Sequence, residues 1–419
     1  MNSTLINIGD ELLIGQVINT NAAVMAKMLG AAGIGIERTV TIGDEPSAIR
    51  DTLRDCLQIS DIVIITGGLG PTKDDLTKQV LCDFFHSELY ENEEALDNVR
   101  KRMAAFGREL TDINRQQAWV PCCCTVLNNP LGTAPGMWFD TQDGNGRRQV
   151  VVSLPGVPFE MEGLMRESVI PRLRERFATG HIIHKTLIVQ GIGESFLSDL
   201  IEPWELALPD CLSLAYLPQP GMTRLRLTAR GDDADALQTA INTALAQLRP
   251  IAGSYITCEG YDTLPAFIAH TMTEAGLTLA TAESCTGGAL SAQLTALAGA
   301  SNYFVGGVVS YSNEVKESVL HVPHDILATH GAVSEPTAIH MAEGVCRQLH
   351  ADYGIATTGI AGPGGGSPEK PVGTVWTAVA TPSGTVTQKL SIPRRRAQVI
   401  EGACQQILGL LAKCLKERK

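Results

Sequence analysis

The sequence predicts an α/β protein: two α/β domains with mainly parallel sheets, joined by a small α+β module. Three observations lead to this fold class. The 419 residues exceed what a single hydrophobic core usually organises. Short apolar segments alternate with amphipathic ones in two separate stretches, which is the rhythm of βαβ units. A shorter region of different pattern lies between these stretches, so we predict domains at 1–172, 173–254 and 255–419.

The N-terminal stretch alternates strands and helices with short connections. Ile62–Ile65 is a continuous apolar run, as expected for a parallel strand that is covered on both faces. We predict strands over 4–9, 36–43 and 61–68, helices over 21–33, 46–58 and 91–107, and a strand, a Pro/Gly turn and a helix over 150–165.

The two later regions differ from each other in length and content. Residues 185–195 and 222–231 have strand character and 234–250 have a helical pattern, which predicts the small α+β module. From Tyr261 the alternation returns. There we predict helices over 264–276, 287–299, 337–351 and 397–415, and strands over 277–284, 304–312, 353–359 and 373–381.

Charge and composition narrow the classes of function. The formal net charge is −12, from 45 acidic and 33 basic side chains, and a field of that sign repels a phosphate backbone. The first residues lack the basic segment of a signal peptide, and no apolar run is long enough to span a bilayer. We therefore expect a cytoplasmic protein without nucleic-acid or membrane partners, whose 11 Cys are reduced thiols.

A polar segment, Ala282–Gly288, links a predicted strand to a predicted helix. Helix N-termini at the carboxyl ends of strands present free N–H groups to ligands, and glycines let a phosphate approach the backbone. The hydroxyl of Ser284, at the edge of the strand, is placed for nucleophilic attack. A plain helix N-cap is the alternative for this segment taken alone, because Ser and Thr are favoured at that position in any helix.

Two neighbouring segments favour the catalytic interpretation. Tyr311 and Lys316 fall within about one helical turn of each other after another strand. A serine needs a base to become nucleophilic, and a desolvated lysine with a lowered pKa can serve, although a lone lysine on a helix is usually a solvated charge. Residues 357–366 are a further strand end with a glycine-rich loop, which suits donors around an anion or oxyanion. This loop lacks the lysine of a P-loop and the glycine spacing of a dinucleotide fold.

These segments together resemble a known family. Roughly the last third of the chain resembles the C-terminal domain of the CinA family. The segments that carry this resemblance are AESCTGG, AGASNYF, VVSYSNEVK, GAVSEP, TTGIAGPGGG and KPVGTVW. That family includes amidohydrolases that convert nicotinamide mononucleotide into nicotinate mononucleotide and ammonia. The resemblance implies that Ser284 is the nucleophile, that Lys316 is its base, and that Tyr311 and Ser301 line or support the site. It implies no cofactor for this domain.

The same resemblance places the nucleotide substrate. The binding residues that it implies are Thr286, Gly287, Gly288, Gly359, Gly362, Gly364, Gly365 and Arg396. One departure from the family pattern concerns the arginine. Family members commonly have Gly-Asp-Arg before the last helix, whereas this chain has Pro-Arg-Arg-Arg, in which Arg396 aligns best by the helix that follows.

A second glycine-rich segment, GGLGPTKDDLT, follows the first buried strand. Glycines at a strand end suit phosphate approach, and Asp75 beyond them could hold a divalent cation that bridges phosphates. Asp10, Glu11 and Asp44 also follow strands, which suggests metal-assisted phosphate chemistry at one sheet edge. For Asp10 and Asp74, helix capping and turn formation explain the residue type equally well.

This N-terminal region also resembles a known domain. It looks like the MoaB/MogA-type molybdopterin-binding domain in its CinA version, through the segments GDELLIGQVINTN, TIGDE, TGGLGPTKDDLT, NPLGTAPGMWF and LPGVPFEME. That version of the domain is associated with metal-dependent cleavage of ADP-ribose. The resemblance implies catalytic roles for Asp44 and Asp75 and, together with Glu11, a site for Mg²⁺, Co²⁺ or a similar divalent ion, with K⁺ as a further ion. The implied nucleotide-binding residues are Gly67, Gly68, Gly70, Thr72, Thr77, Asn129, Gly132 and Gly136.

The middle module resembles the KH-like insert of the same family. Its loop Gly191–Glu194 is acidic where an RNA-binding KH loop favours basic residues, so we expect a spacer or a support for a homodimer. Three functions stay open: a hydrolase of nicotinamide mononucleotide and ADP-ribose, a molybdopterin-binding protein, and an accessory protein of DNA uptake. The hydrolase accounts for both sets of motifs. Molybdopterin binding leaves the serine and lysine unexplained, and the acidic charge opposes DNA.

Overall fold

The computed structural model describes residues 1–72, 75–177 and 179–418. Lys73 and Asp74, within the N-terminal glycine-rich segment, lie outside these described residues. The chain divides into two compact units, the first containing Met1–Ile183 and Arg230–Leu237 and the second containing His184–Ala229 and Gln238–Lys419. Most of the middle module therefore groups with the C-terminal region.

The first unit consists mainly of alternating strands and helices. Its elements are β1 (Asn2–Ile8), α1 (Asp10–Leu13), α2 (Thr20–Ala31), β2 (Gly35–Ile42), α3 (Pro46–Ile59), β3 (Ile62–Thr66), α4 (Thr77–Phe84), β4 (Leu89–Glu91), α5 (Glu93–Ala105), α6 (Asp112–Gln116), β5 (Trp119–Pro121), β6 (Thr125–Leu127), β7 (Gly136–Gln142), β8 (Arg148–Leu154), α7 (Pro158–Leu164) and α8 (Ile170–Arg176), with a π-helical turn at Met165–Val169.

The main sheet of this unit has the strand order β2-β1-β3-β8-β7-β6. Strands β2, β1, β3 and β8 are parallel, and β7 and β6 extend the sheet in antiparallel fashion. Ile62 and Ile64 of β3 pack in the core on one face, and Val63 and Ile65 pack in the core on the other. The prediction that this apolar run is covered on both faces is therefore confirmed.

The remaining elements build the middle module and the C-terminal domain. They are β9 (His181–Val189), α9 (Glu194–Leu206), β10 (Leu212–Gln219), β11 (Met222–Gly231), α10 (Ala234–Ala252), β12 (Ile256–Glu259), α11 (Leu264–Glu274), β13 (Leu279–Glu283), α12 (Ala289–Thr295), β14 (Phe304–Val309), α13 (Asn313–Ser318), α14 (His324–His330), α15 (Glu335–Leu349), β15 (Tyr353–Gly359), β16 (Thr374–Thr381), β17 (Gly384–Ser391) and α16 (Arg396–Glu417), with 3₁₀ turns at Gly253–Tyr255 and Ala300–Asn302.

The two sheets of this region differ in how their strands pair. The middle module has the order β10-β11-β9-β12, with antiparallel pairs β10–β11 and β9–β12. The C-terminal sheet has the order β14-β13-β15-β16-β17. Its first three strands are parallel to one another, β16 is antiparallel to β15, and β17 is antiparallel to β16. Ile355 of β15 packs in the core with α11 and α16, whereas Ala356 packs in the core with α15. The α/β class with a small α+β module is confirmed, and both large sheets are mixed.

Some predicted bounds differ from the observed ones. The helix predicted over 287–299 spans only Ala289–Thr295, because residues 287 and 288 belong to the polar turn before it and residues 296–299 form turns ahead of the 3₁₀ turn. Strand β17 has no counterpart in the sequence prediction, since its partly exposed edge position allows many polar residues. Among the described residues, no helix is both long and apolar enough to cross a membrane.

Candidate active site

Three parallel strands of the C-terminal sheet end at one edge, and their ends build the candidate site. The last residue of β13, Glu283, pairs with Val309 at the end of β14 and with Thr357 near the end of β15. The segments that follow these strands therefore meet, although they are far apart in sequence. Ligand sites in open α/β sheets usually lie at this edge.

The nucleophile and base candidates lie within hydrogen-bond distance of each other. The Nζ of Lys316 is 3.2 Å from the Oγ of Ser284, and it donates a hydrogen bond to the carbonyl oxygen of Ser310 at 2.7 Å. Helix α13 carries Lys316, and Ser312 caps its N-terminus by accepting from the N–H of Val315. This arrangement is not the solvated surface lysine that a single charge on a helix usually represents.

The environment of Lys316 favours its neutral form. Its side chain is buried, with 1% of its surface exposed, and this burial lowers the pKa of the ammonium from the ordinary value of 10.5. The sulfur of Cys285 and, to a smaller extent, the carboxylate of Glu314 raise this pKa in the opposite direction. Ser284 is 9% exposed, so the nucleophile lies at the boundary between the buried lysine and solvent.

A buried carboxylate next to Ser284 organises the turn into α12. The side chain of Glu283 is fully buried and accepts hydrogen bonds from the N–H groups of Gly288 (2.9 Å), Leu290 (3.0 Å) and Ser291 (2.8 Å). It also accepts from the hydroxyls of Thr286 at 2.7 Å and Ser291 at 2.6 Å. The sequence prediction did not single out Glu283, although an acidic residue at the end of an apolar strand was a visible signal.

Several groups of the predicted phosphate site at the start of α12 already have partners within the protein. The N–H of Gly288 is already bonded to Glu283, and the hydroxyl of Thr286 lies in a buried contact with Thr357 at 2.7 Å. Gly287 and Gly288 have φ values of +60° and +101°, which glycine adopts without strain. Gly287 and Gly288 therefore shape the turn, and the first amides of the helix are bonded to a carboxylate of the protein itself.

Arg396 connects two loops at the rim of the site. Its guanidinium donates to the hydroxyl of Tyr311 at 3.1 Å and to the carbonyl oxygen of Gly362 at 2.9 Å. Both Arg396 and Tyr311 are exposed, so a positive charge stands at the entrance.

The glycines of the loop differ in their surroundings. Gly364 has open space around it, whereas Gly359 packs tightly, since a Cβ there would lie 2.7 Å from the carbonyl oxygen of Thr374. Gly362 and Gly365 have φ values of +82° and +85°.

The structure places Ser301 away from Ser284. Ser301 is exposed, in the 3₁₀ turn Ala300–Asn302 that precedes β14. The N–H of Leu279, at the start of β13, bonds to the carbonyl oxygen of Tyr303. Ser301 therefore lies at the amino edge of the sheet, and five residues of strand separate that edge from Ser284, roughly 17 Å.

A second candidate site is a cleft of about 380 Å³ at the carboxyl edge of the N-terminal sheet. It brings together most of the predicted residues of this region: Glu11, Asp44, Gly67, Gly68, Gly70 and Asp75 line it. The opposite wall contains Gln117, Thr133 and Glu160, which the sequence prediction did not single out. Asp44 accepts from the N–H of Asp10 at 3.1 Å, and Asp75 accepts from the N–H of Thr72 at 2.9 Å.

Several predicted residues of this region support the cleft without lining it. The hydroxyl of Thr77 donates to the carbonyl oxygen of Gly67, and Thr72 lines an adjoining cavity instead. Asn129 donates to Glu160 at 2.7 Å, and a Cβ on Gly132 would collide with that carboxylate. Gly136 is buried in β7 opposite Leu127 and does not line this cleft.

The predicted metal ligands do not form a metal centre by themselves. Within 1–72, 75–177 and 179–418, no group of three or more His, Cys, Asp or Glu side chains is arranged to hold a metal ion. Glu11, Asp44 and Asp75 share the cleft, but the carboxylates of Asp44 and Asp75 already accept local backbone hydrogen bonds. The described residues alone therefore do not fit a preformed divalent site.

Comparisons with known proteins cover the whole chain. Residues 261–415 match the family described as the CinA C-terminal domain, 4–175 match a probable molybdopterin binding domain, and 184–256 match the KH domain of damage-inducible protein CinA. A CinA-like protein from Cytophaga hutchinsonii is 44% identical over 99% of this chain and 98% of its own length. A putative competence-damage inducible protein from Clostridium botulinum is 36% identical over 99% of this chain and 100% of its own length.

Two solved structures illustrate similarity to parts of the chain. Competence/damage inducible protein CihA from Agrobacterium tumefaciens is 38% identical, with a TM-score of 0.36, over 37% of this chain and 94% of its own. The molybdopterin biosynthesis enzyme MoaB from Thermus thermophilus is 17% identical, with a TM-score of 0.28, over 42% of this chain and 92% of its own.

Proposed function

The chain belongs to the family of CinA-like proteins, and on that premise we propose that its C-terminal domain is a deamidase of nicotinamide mononucleotide. The observation that carries this proposal is the 3.2 Å distance between Nζ of buried Lys316 and Oγ of Ser284. A serine becomes a nucleophile when an adjacent base takes its proton, and a lysine does so when burial keeps it neutral. Such a pair is suited to the hydrolysis of a carboxamide.

The chemistry follows from the two side chains. Neutral Lys316 takes the hydroxyl proton of Ser284, and Oγ attacks the carboxamide carbon to form a tetrahedral intermediate. The C–N bond then breaks, and the proton on Lys316 passes to the leaving nitrogen, which departs as ammonia. Water then attacks the ester while Lys316 takes its proton. The bond between the acyl carbon and Oγ breaks, Lys316 returns the proton to Oγ of Ser284, and nicotinate mononucleotide is released. The carbonyl oxygen of Ser310, which holds one N–H of Lys316, orients the amine for these transfers.

We assign the recognition of the substrate phosphate to Arg396. The N-terminus of α12 does not serve this purpose, because Glu283 occupies its amide groups. Arg396 is the first residue of α16 and stands exposed at the rim, beside Tyr311 and the glycine-rich loop. A guanidinium is suited to a phosphate dianion because its N–H groups bind two oxygens together.

Ammonia release from nicotinamide mononucleotide by the purified protein tests the proposal directly. The Ser284→Ala variant, measured in parallel, identifies the nucleophile. Release by the wild type and none by the variant supports the assignment. No release by folded wild-type protein, with nicotinate mononucleotide also absent by chromatography, contradicts it.

We also propose that the N-terminal cleft binds and cleaves ADP-ribose, because acidic residues and a glycine-rich strand end share one cavity of about 380 Å³. A pyrophosphate would approach the backbone at Gly67–Gly70, and Asp44 and Asp75 are the acidic groups beside it. Since these residues do not fit a preformed divalent site, we derive no step through a metal. Dependence on Mg²⁺, Co²⁺ or K⁺ stays a prediction, measured as ADP-ribose cleavage with each ion and with a chelator.

The two other functions considered are less consistent with the chain. A molybdopterin-binding role would use the N-terminal cleft alone and leaves the buried Ser284–Lys316 pair without a purpose. A role in DNA uptake, which the names of some relatives suggest, conflicts with a net charge of −12.

A further inference from the structure

Glu283 is a charged side chain in a place where a charge is costly. It is the last residue of β13 and fully buried, immediately before Ser284. A buried carboxylate is tolerated only when hydrogen bonds replace its hydration. Glu283 meets this condition with three backbone N–H groups and two hydroxyls, all from the turn and first residues of the helix that follow it.

Most backbone N–H groups of this turn have an acceptor in the protein, and two do not have one in another residue. The N–H of Ser284 donates to the carbonyl oxygen of Thr357, and the N–H groups of Gly287 and Ala289 donate within the turn. Glu283 binds those of Gly288, Leu290 and Ser291. Within the part of the chain that the structure describes, the N–H groups of Cys285 and Thr286 donate to no other residue, and that of Cys285 contacts only the sulfur of its own side chain.

These two uncommitted donors directly follow the nucleophile. Attack by a serine converts a carbonyl oxygen into an oxyanion, and backbone N–H groups beside the nucleophile are the usual groups that stabilise it. An unpaired N–H in a nearly buried turn is otherwise unfavourable. Cys285 and Thr286 are both buried, with 6% and 3% of their surfaces exposed.

We propose that Glu283 is a positioning residue for the deamidation: it holds the turn after Ser284 so that the N–H groups of Cys285 and Thr286 bind the carboxamide oxygen. This inference rests on the proposed function of the C-terminal domain. Glu283 does not touch the substrate. It acts by binding the later amides of the turn, which leaves the two amides next to the nucleophile free for the substrate.

Glu283→Gln is the sharpest test, because glutamine has nearly the same shape but replaces one acceptor oxygen with a donor. The N–H groups facing that atom lose their acceptor, and the turn must rearrange. The oxyanion exists only after attack, so its stabilisation contributes to kcat rather than to substrate binding. We expect kcat for deamidation to fall about 100-fold, the usual effect of disturbing one oxyanion donor, with KM changed less than about threefold.

Thr281→Val provides the matched control. Thr281 is fully buried on the same strand, and its hydroxyl pairs with that of Ser291 at 2.7 Å, so its loss loosens the same helix without touching the turn amides. We expect a lower melting temperature with a kcat close to that of the wild type. Glu283→Asp keeps the charge but shortens the reach, so its kcat should lie between those of the wild type and Glu283→Gln.

The outcomes separate this inference from the function on which it depends. A folded wild type that does not deamidate contradicts the proposed function itself. If the wild type is active, an unchanged kcat in Glu283→Gln overturns the inference, and so does a loss confined to KM. An equal loss of kcat in Thr281→Val overturns it too, because general loosening would then explain the effect. If Glu283→Gln does not fold, a wild-type kcat in Glu283→Asp overturns it and a reduced kcat with unchanged KM supports it.

Discussion

The Nζ of Lys316 lies 3.2 Å from the Oγ of Ser284, although 32 residues separate them in the chain. Ser284 follows β13 and Lys316 lies on the helix after β14, and these strands are neighbours in a parallel pair. Parallel pairing places both carboxyl ends at the same edge, which brings the hydroxyl and the amine together. The same pairing buries the lysine, so one structural relationship supplies both the contact and the lowered pKa.

Removal of the nucleophile should affect one activity only. We expect Ser284→Ala to reduce deamidation on the order of 10⁴-fold or more, because the acyl intermediate can no longer form. Cleavage of ADP-ribose should be unchanged, since the proposed residues for that reaction lie in the other compact unit. Ser301→Ala is the matched control, at the opposite edge of the same sheet, and should deamidate normally. Loss of both activities in Ser284→Ala would contradict the two-site proposal.

The pH dependence of deamidation should report Lys316. The base acts in its neutral form, so kcat/KM should rise with pH until Lys316 is deprotonated, and burial places that pKa below 10.5. Lys316→Ala should lower kcat/KM roughly 10²- to 10⁴-fold and remove the rising limb. A variant that keeps the wild-type pH profile would show that another group is the base.

Arg396 should determine the preference for a phosphorylated substrate. We expect Arg396→Ala to weaken use of nicotinamide mononucleotide about 10- to 100-fold in kcat/KM, the range for a lost charge-assisted pair. Nicotinamide riboside lacks the phosphate, so its kcat/KM should change little. Arg395→Ala is the adjacent control, with the same change in charge. An equal effect of both variants on nicotinamide mononucleotide would indicate a general field rather than a specific contact.

Asp75 should matter for the N-terminal site alone. We expect Asp75→Asn to reduce ADP-ribose cleavage at least about 10-fold, because the amide can neither take a proton from water nor attract a cation, while an oxygen stays near the N–H of Thr72. Deamidation should remain at the wild-type rate. Cleavage is measured with Mg²⁺, with Co²⁺ and with chelator present. Unchanged metal-dependent cleavage would refute the assigned role.

Much of the fold could be predicted because its signals are local. The apolar run in β3 and the amphipathic helices on either side are properties of short segments, and burial on both faces follows from them. The edge strand β17 could not be predicted in this way, since a partly exposed strand needs no strong pattern. Residue chemistry and family resemblance both indicated Ser284 and Lys316 as a pair, but their contact depends on the pairing of β13 with β14, which no local pattern shows.

The sequence by itself determined the fold class, the pairing of Ser284 with Lys316 as candidates, and the set of acidic and glycine residues in the N-terminal cleft. Only the tertiary structure decided that Glu283 occupies the helix terminus where a phosphate was predicted, and that Ser301 lies at the far edge of the sheet. The physical reason is that residue type indicates which chemistry a side chain can perform. Strand order and hydrogen-bond partners decide which of those side chains meet and which are already committed to the protein.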